Sequence, residues 1–272
     1  MTTQQITLLG CGKMGSAMLE GWLADTGLAA DFTIIEPYQT HLGWLDGQPR
    51  VRVYADCASA VADGAPESTM IVLAVKPQMM DEAIAALGSL AHGDCTYLSI
   101  AAGISTGWLK QRLGPQAVVM RAMPNTPAAV GKGITALFAD APEMVRDLAT
   151  QLLAAVGQVV HLQDEGLMDA VTAVSGSGPA YVFLLVEAMS AAGIKAGLPD
   201  DLAIELAMAT VCGAGALMAA VDTPPSVLRE NVTSKGGTTA AALAVLMADD
   251  GLDALMTKAV AAAKARSIEL DD

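Results

Sequence analysis

Near the amino terminus, a short apolar run leads through three closely spaced glycines into a helix-forming segment. The run Ile6–Leu9 is followed by Gly10–Gly15 (GCGKMG), a GxGxxG pattern between a predicted strand and a predicted helix. In such a turn the first glycine permits the bend, the second lets a pyrophosphate approach the backbone, and the third lets helix and strand pack closely. The pattern predicts a Rossmann-type fold with a dinucleotide at Gly10, Gly12 and Gly15. The alternative is a glycine turn that only packs.

Apolar runs that are typical of strands alternate with helical patterns up to about residue 160. The predicted strands are Ile6–Leu9, Phe32–Ile35, Val51–Tyr54, Met70–Val75, Thr96–Ile100, Val118–Ala122, Ile134–Phe138 and Val159–Leu162. The predicted helices are Met14–Ala24, Gln39–Leu45, Met79–Leu90, Thr106–Leu113 and Glu143–Val156. Because near-continuous apolar strands alternate with helices, we expect an α/β fold with a doubly wound parallel sheet covered on both faces.

Beyond Gln163 the strand pattern ends and the remaining segments are helical. The predicted helices there are Leu167–Val174, Pro179–Ala196, Asp201–Ala220, Pro225–Val232, Thr239–Met247 and Leu252–Ser267. Proline and acidic residues precede several of them, as is common at helix starts. We therefore expect a dinucleotide-binding Rossmann domain at residues 1–163 and an all-helical domain at residues 164–272.

Charge and cysteine content exclude several classes of protein. The chain has 15 Lys and Arg against 29 Asp and Glu, a net charge of −14, which argues against a nucleic-acid backbone binder. The four cysteines lie far apart without a Cys/His cluster, so we predict no metal site and a reducing, cytoplasmic location. The longest uncharged stretch, Leu206–Val221, is shorter than the roughly 18–20 apolar residues that cross a bilayer. We expect a helix there that is buried on most sides, in a core or in a subunit interface, and no membrane span.

An acidic residue follows the second predicted strand. Glu36 stands where a carboxylate can accept hydrogen bonds from a ribose 2′-hydroxyl and would repel a 2′-phosphate. This favours NAD over NADP. Two alternatives stay open, because Glu36 in solvent would have no such role and Arg50 or Arg52 could serve a phosphate.

Three further segments follow predicted strands, at the positions where an open α/β sheet binds its ligand. Ala74-Val75-Lys76-Pro77 ends a strong strand, so Lys76 is a candidate contact for the cofactor or a substrate acid. A solvated lysine before a proline-initiated helix is the alternative. The backbones of Ser99–Gly103 and Met123–Pro127 are candidates for the nicotinamide end.

The helical half contains two loops rich in hydroxyls and glycine, Ser175–Tyr181 (SGSGPAY) and Asn231–Thr239 (NVTSKGGTT). Each precedes a helix and presents several N–H and O–H groups around one point, which suits a carboxylate. A helix cap with a flexible turn is the alternative.

No strong general base is evident. His41, His92 and His161 lie in no motif and are more typical of surface or strand-end residues. Lys195 is the lysine candidate in the helical half, but no polar partner follows it one turn on, where Pro199 stands. A site without a base indicates reduction of an already activated group, such as a protonated imine, by positioning and electrostatics.

Five segments together resemble the pyrroline-5-carboxylate reductase family, in the family's order and across nearly the whole chain. They are Leu9–Met18 (LGCGKMGSAM), Ala74–Pro77 (AVKP), Arg121–Gly131 (RAMPNTPAAVG), Ala173–Tyr181 (AVSGSGPAY) and Leu228–Leu243 (LRENVTSKGGTTAAAL). The resemblance implies reduction of the cyclic imine 1-pyrroline-5-carboxylate to L-proline by NADPH or NADH, the last step of proline biosynthesis. It also implies a homodimer with interlocked helical domains and a shared site, commonly assembled into a decamer.

The resemblance also implies roles for individual residues. The dinucleotide would be bound by Gly10, Gly12, Lys13, Met14 and Gly15. Its further predicted contacts, from their places after strands, are Glu36, Ala74, Val75, Lys76 and Pro77. The substrate carboxylate would be held by Ser234, Gly236, Gly237 and Thr238. Thr239 would be the catalytic residue, hydrogen-bonded to the ring nitrogen. Two positions depart from some relatives: Lys235 stands where others have a proline, and Glu36 stands where NADPH-preferring members tend to have small polar or basic residues.

Two other functions remain open on the residues alone. A β-hydroxyacid dehydrogenase relative would share the layout, but it would need Lys195 as acid/base with an amide where Pro199 stands. A nucleotide-sensing protein without turnover would tolerate loss of Thr239 and the double glycine, yet both are present.

Overall fold

The computed structural model describes residues 3–91 and 94–270. His92, one of the histidines without a motif, lies outside the described residues. The chain divides into two compact units. The first runs to Gly176 and includes the chain from Lys264 onward, and the second comprises Ser177–Ala263. The functional division expected between residues 163 and 164 stays a prediction.

An eight-stranded sheet forms the centre of the first unit, in the order β3-β2-β1-β4-β5-β6-β7-β8. Its strands are β1 Gln4–Leu9, β2 Ala30–Ile35, β3 Val51–Tyr54, β4 Met70–Leu73, β5 Thr96–Ser99, β6 Val118–Met123, β7 Gly133–Phe138 and β8 Gly157–Leu162. All eight predicted strands are present, with ends that differ by at most two residues. The Rossmann-type α/β fold is thus confirmed.

The expectation of a fully parallel sheet is wrong at β7, which pairs antiparallel with β6. Parallel neighbours need a crossover of about a dozen residues or more, usually a helix. Only residues 124–132 connect these two strands, and they contain the short 3₁₀ helix Thr126–Val130. The chain therefore turns back, and β8 then pairs parallel with β7.

Helices cover both faces of the sheet. Those of the first unit are α1 Lys13–Ala24, α2 Cys57–Ala62, α3 Met80–Ala85, α4 Thr106–Leu113, α5 Glu143–Ala154 and α6 Met168–Val171. On one face, Leu8, Ile34 and Leu98 pack with residues of α1 and α5. On the other, Ile71, Leu73 and residues around them pack with α2, α3 and α4. A Trp22 Nε1–H bond of 2.8 Å to the Leu152 carbonyl joins α1 to α5.

Three predicted helices differ from the structure in type or by more than two residues, and one further helix was not predicted. Gln39–Leu45 forms two 3₁₀ turns, Gln39–His41 and Gly43–Leu45, because glycine interrupts this short segment. Met79–Leu90 is helical only as α3 with flanking 3₁₀ turns, since Gly88 adopts φ +51. Leu167–Val174 shortens to α6 and continues as a π-helical turn, Thr172–Gly176. Helix α2 was not predicted, although Asp56 and Ser59 form a capping box at its start.

The second unit is helical throughout. Its helices are α7 Gly178–Lys195, α8 Asp200–Ala220, α9 Pro225–Asn231, α10 Thr238–Leu246 and most of α11 Leu252–Glu269. Helices α7 and α8 pack on each other, and Gly193 allows close approach near Leu198 and Ala203. Among the described residues, two helical stretches, Glu165–Lys195 and Asp200–Ala220, are long and apolar enough to cross a membrane by length and composition.

Candidate active site

The glycine turn lies between β1 and α1 at the carboxyl edge of the central strands. Gly10 has φ +93, and a Cβ there would lie 2.9 Å from the Ala74 carbonyl oxygen. A Cβ on Gly15 would lie 2.5 Å from the Gly10 carbonyl oxygen, so packing excludes side chains at both positions. Around Gly12, in contrast, a Cβ would meet nothing within 4 Å. The first and third glycines are therefore packed against the protein, whereas the middle glycine is open. A pyrophosphate that approaches the backbone needs such an opening.

Helix α1 begins at Lys13, directly after this turn. Gly12 is its N-cap and supplies no side-chain hydrogen bond. The first N–H groups of the helix consequently lack a side-chain acceptor, and the helix dipole adds positive potential at the same place. Lys13 is exposed and Met14 is half-buried at this helix start. These features fit a dinucleotide phosphate.

Glu36 follows β2 and faces the glycine turn. Its Oε2 accepts the Cys11 N–H at 2.8 Å, and its Oε1 accepts the Tyr38 N–H at 3.0 Å. Only 8% of the residue is exposed. The alternative of Glu36 in solvent is therefore wrong, and a carboxylate lies directly beside the predicted dinucleotide site.

Neither arginine proposed as an alternative phosphate ligand lies at this edge. The Arg50 guanidinium donates to the carbonyls of Leu23 and Leu28, near the end of α1. Arg52 lines a cavity with Gln5 and Asp31 near the amino-terminal ends of the strands. Arg50 is therefore occupied away from the carboxyl ends, where the glycine turn lies, whereas Arg52 is exposed at the cavity that it lines.

His41 lies at the glycine turn, which the sequence did not indicate. Its Nε2 is 2.7 Å from the Cys11 carbonyl oxygen. The 3₁₀ turn Gln39–His41 brings the ring there, and no periodic pattern or motif marks such a contact. The composition of the segment alone gave no signal that would have found it.

Cys11 remains a neutral thiol at ordinary pH. Burial is the main factor that raises the pKa of this thiol, the Glu36 charge raises it further, and a hydrogen bond with Ser16 opposes both. The middle of the glycine turn therefore adds no negative charge that would oppose a phosphate.

Ala74–Pro77 lies beside the glycine turn because β4 is the neighbour of β1 in the sheet. The Ala74 N–H donates to the Leu9 carbonyl at 2.9 Å, and Val75 would contact a Cβ placed on Gly10. Strand β4 ends at Leu73, two residues earlier than predicted. Lys76 is exposed, and Pro77 begins a 3₁₀ turn.

The segment after β6 is tied to the π-helical turn by Asn125. Its Nδ2 donates to the Ser175 carbonyl at 3.2 Å, and its Oδ1 accepts the Ile134 N–H at 2.9 Å. Such turns leave carbonyls outside the regular helical ladder and often mark functional sites. Asn125 thus joins two of the five sequence segments, those around residues 121–131 and 173–181.

Arg121 is buried under the same edge. Its Nη1 lies 3.3 Å from Glu165 Oε1, and this carboxylate oxygen also accepts the Thr106 N–H at 2.8 Å. Arg121 and Glu165 therefore join β6, the start of α4 and the chain that leads into α6.

In the second unit, Ser234–Gly237 forms a β-turn at the start of α10. The Gly237 N–H donates to the Ser234 carbonyl at 3.0 Å, and Gly236 has φ +72, a conformation that favours glycine. The Ser234 hydroxyl occupies the place that a Cβ on Gly237 would take. Gly237 is the N-cap of α10 without a side-chain bond, so first-turn N–H groups and the Thr238 and Thr239 side chains meet at one helix end.

Among residues 3–91 and 94–270, no three His, Cys, Asp or Glu side chains are grouped to hold a metal ion.

Family models match both parts of the chain. Residues 165–270 match the model described as pyrroline-5-carboxylate reductase dimerisation. Residues 5–103 match the model described as NADP oxidoreductase coenzyme F420-dependent.

Curated and solved relatives match over the full length. The chain is 40% identical to a pyrroline-5-carboxylate reductase of Pseudomonas aeruginosa, over 99% of this chain and 98% of that protein. The enzyme of the same name from Synechocystis is also 40% identical, over 98% of each chain. A solved pyrroline-5-carboxylate reductase from Coxiella burnetii is 32% identical with a TM-score of 0.89, covering 100% of both chains. A Plasmodium falciparum pyrroline carboxylate reductase with NADP bound is 25% identical with a TM-score of 0.82, also over 100% of both chains.

Proposed function

Because the chain belongs to the pyrroline-5-carboxylate reductase family, we propose that its glycine turn holds the dinucleotide and its α10 loop holds the substrate acid. The reaction is the NAD(P)H-dependent reduction of 1-pyrroline-5-carboxylate to proline. The β-hydroxyacid dehydrogenase alternative is not supported, since the full-length relatives are reductases of this imine.

The dinucleotide site comprises backbone and side-chain contacts on three neighbouring strand ends. The observation that carries this assignment is the open space around Gly12, which lies between Gly10 and Gly15, where packing leaves no room for a side chain. The phosphates would meet the start of α1, and Glu36 would meet the adenosine ribose. The contact residues are Gly10, Gly12, Lys13, Met14, Gly15, Glu36, Ala74, Val75, Lys76 and Pro77.

The substrate carboxylate would lie against the start of α10. Its contacts are Ser234, Gly236, Gly237 and Thr238. A cluster of N–H and O–H donors at a helix N-terminus stabilises a carboxylate without a paired cation. Lys235 adds a positive side chain to the same turn.

Thr239 is the proposed catalytic residue. When bound, the reduced nicotinamide supplies a hydride to the carbon of the ring C=N bond, and the ring nitrogen carries the proton that completes the amine. The Thr239 hydroxyl would hydrogen-bond this nitrogen and fix the orientation of the ring. Positioning of this kind requires no strong base, because an iminium carbon accepts a hydride readily.

The reaction is tested by following NAD(P)H oxidation when 1-pyrroline-5-carboxylate is added to the purified protein. The expected result is stoichiometric oxidation with proline as the identified product. Oxidation without proline, or no oxidation with either cofactor while the protein is folded, would contradict the assignment.

We assign dinucleotide binding to residues 1–163, and substrate binding and dimerisation to residues 164–272. The dimerisation model that matches residues 165–270 supports this division. It differs from the compact units because α6 and the end of α11 pack with the first unit.

The proposed assembly is a homodimer with interlocked helical domains, and a pentamer of dimers is its larger form. The apolar helices support a dimer, since Phe183, Leu184 and Val245 are 60%, 62% and 73% exposed in the single chain. Burial by a second copy would also explain the two membrane-length helical stretches, because only 6% and 11% of their apolar 18-residue windows is buried in the single chain. Light scattering should give twice the chain mass or more, and a folded monomer would contradict the proposal.

We place the protein in the cytoplasm without a membrane. Cys11, Cys57, Cys95 and Cys212 are all free thiols, which suits a reducing compartment. After cell lysis without detergent, the protein should stay in the supernatant of a high-speed spin. Recovery only in detergent would instead assign the apolar helices to a bilayer.

A further inference from the structure

The peptide units of Cys11, in the middle of the glycine turn, are held by two side chains that follow β2. The Cys11 N–H donates to Glu36 at 2.8 Å, and the Cys11 carbonyl lies 2.7 Å from His41 Nε2. The Cys11 carbonyl also accepts the Ser16 hydroxyl at 2.9 Å, so this oxygen has a hydrogen-bond donor without His41. The two contacts place a carboxylate and an imidazole beside the predicted dinucleotide site.

The hydrogen bond to Cys11 determines which nitrogen of His41 carries the proton. A carbonyl oxygen only accepts, so Nε2 must be the donor. In the neutral ring Nδ1 is then an acceptor. Each Glu36 oxygen accepts one backbone N–H and keeps a lone pair. Glu36 and neutral His41 therefore offer acceptors to a ligand.

A set of acceptors distinguishes the two forms of the cofactor. The adenosine ribose of NADH offers two hydroxyl donors on adjacent carbons, whereas NADPH replaces one of them with a charged phosphate. A phosphate needs donors or cations. Arg50, the next arginine along the chain, is bound to backbone carbonyls near the end of α1, and Arg52 lines a cavity near the amino-terminal ends of the strands.

From this geometry we infer that His41 is a second recognition residue for the ribose diol, beside Glu36, and that it adds to the preference for NADH over NADPH that Glu36 predicts. The inference rests on the proposed dinucleotide site at the glycine turn. Glu36 accepts from one ribose hydroxyl and repels a 2′-phosphate. His41 accepts from the ribose through Nδ1 and holds the Cys11 carbonyl through Nε2.

The test is equilibrium binding of NADH and of NADPH, measured separately by fluorescence titration without any imine. The wild-type protein should bind NADH at least roughly 10-fold more tightly, the range expected for hydrogen bonds to a charged group. Equal affinities, tighter NADPH binding, or no binding of either cofactor would overturn the inference.

Substitutions separate the two side chains. Glu36→Gln should reduce the NADH preference by roughly 10-fold or more, because it removes the charge that repels the phosphate. His41→Phe removes the donor and the acceptor of the imidazole. It should weaken the binding of NADH by roughly 2–10-fold and leave the affinity for NADPH nearly unchanged. His41→Gln keeps a donor for the Cys11 carbonyl, so its affinity for NADH should lie between those of His41→Phe and the wild type. His161→Gln, on the exposed strand β8, is the matched control and should change neither affinity.

Each result has a distinct meaning. If His41→Phe loses affinity for NADH and for NADPH equally, His41 only holds the glycine turn, and its part in selectivity is overturned. An unchanged ratio in Glu36→Gln, in protein with the melting temperature of the wild type, would overturn the role of Glu36. Because no imine is present, failure of the proposed reaction leaves these affinities intact. Conversely, proline formation with NADPH preferred would leave the reaction standing and remove the inference.

Discussion

The two compact units differ in where their apolar side chains lie. The first unit buries large side chains completely, including Trp22 and Phe32, whose rings stack at 5.4 Å. In residues 177–263, all of which the structure describes, Ser190, Ala203 and Ala207 are the buried residues. The first unit therefore has a core of its own, whereas the second presents apolar surface that a soluble monomer would rarely expose.

The difference arises from architecture rather than from composition. A sheet has two faces, and α1 to α5 cover them within one chain. Helices α7 and α8 are apolar around most of their circumference, so one neighbour covers only part of each. Stability of the second unit should consequently depend on assembly, and stability of the first should not.

Trp22→Ala should have the largest effect and tests the self-contained core. It removes a fully buried ring and the bond to the Leu152 carbonyl, so the free energy of unfolding should fall by about 3–5 kcal/mol. Denaturant titration at two protein concentrations should show the same loss at both. Trp44→Ala, at a residue 38% exposed, is the control and should cost less than about 1 kcal/mol.

Thr239→Val tests whether the second unit, whose apolar side chains are exposed, also contains the catalytic residue. The substitution keeps the shape and removes the hydroxyl, so turnover should fall by about 10–1000-fold. The dissociation constant of the dinucleotide should stay nearly unchanged, because the glycine turn lies in the other unit. Steady-state kinetics and cofactor titration measure the two effects, and unchanged turnover would remove Thr239 from the mechanism.

Leu184→Asp tests whether the exposed helices are an interface. A charge placed in a dry interface should weaken the dimer by about 100-fold or more, seen as dissociation in sedimentation at low protein concentration. Met144→Asp, on the exposed face of α5 in the first unit, is the matched control. If both variants remain equally associated, the apolar surface around Leu184 is not the contact.

The smallest expected effect is a loss of stability of the first unit at alkaline pH. Burial raises the pKa of the Cys95 thiol from 9.0 to about 12 and that of the Tyr97 hydroxyl from 10.0 to about 12. The unfolded chain releases these protons first, so the free energy of unfolding should decrease as pH rises above about 9. Cys95→Ala should flatten that slope in denaturant titrations from pH 8 to 10.5, and an unchanged slope would contradict the role of the buried Cys95 thiol.

Much of the fold could be predicted because periodic patterns report local structure. Thr106–Leu113 has the predicted bounds, and every predicted strand is present. The errors concern contacts distant in sequence or very short segments. The reversal of β7 depends on the length of its connection, and the turns at residues 39–45 are too short for a helical period to be distinctive.

The candidate site divides in the same way. Gly10, Gly12 and Gly15 have geometries that their spacing predicted, and Glu36 lies beside them as its place after β2 suggested. His41 was missed because a single hydrogen bond across 30 residues has no sequence signature. The roles of Ser234 to Thr239 came from the family resemblance, since a glycine turn before a helix does not by itself identify a ligand.

The reversed direction of β7 sends its outgoing connection away from the segments that follow β1, β4, β5 and β6. Phe138, the last residue of β7, pairs with Arg121 of β6, and the chain beyond it runs toward the start of β6. The connection around Asp140 is exposed. A peptide tag or reporter domain inserted there should leave the activity unchanged, which makes this connection a suitable place to immobilise the protein on a support.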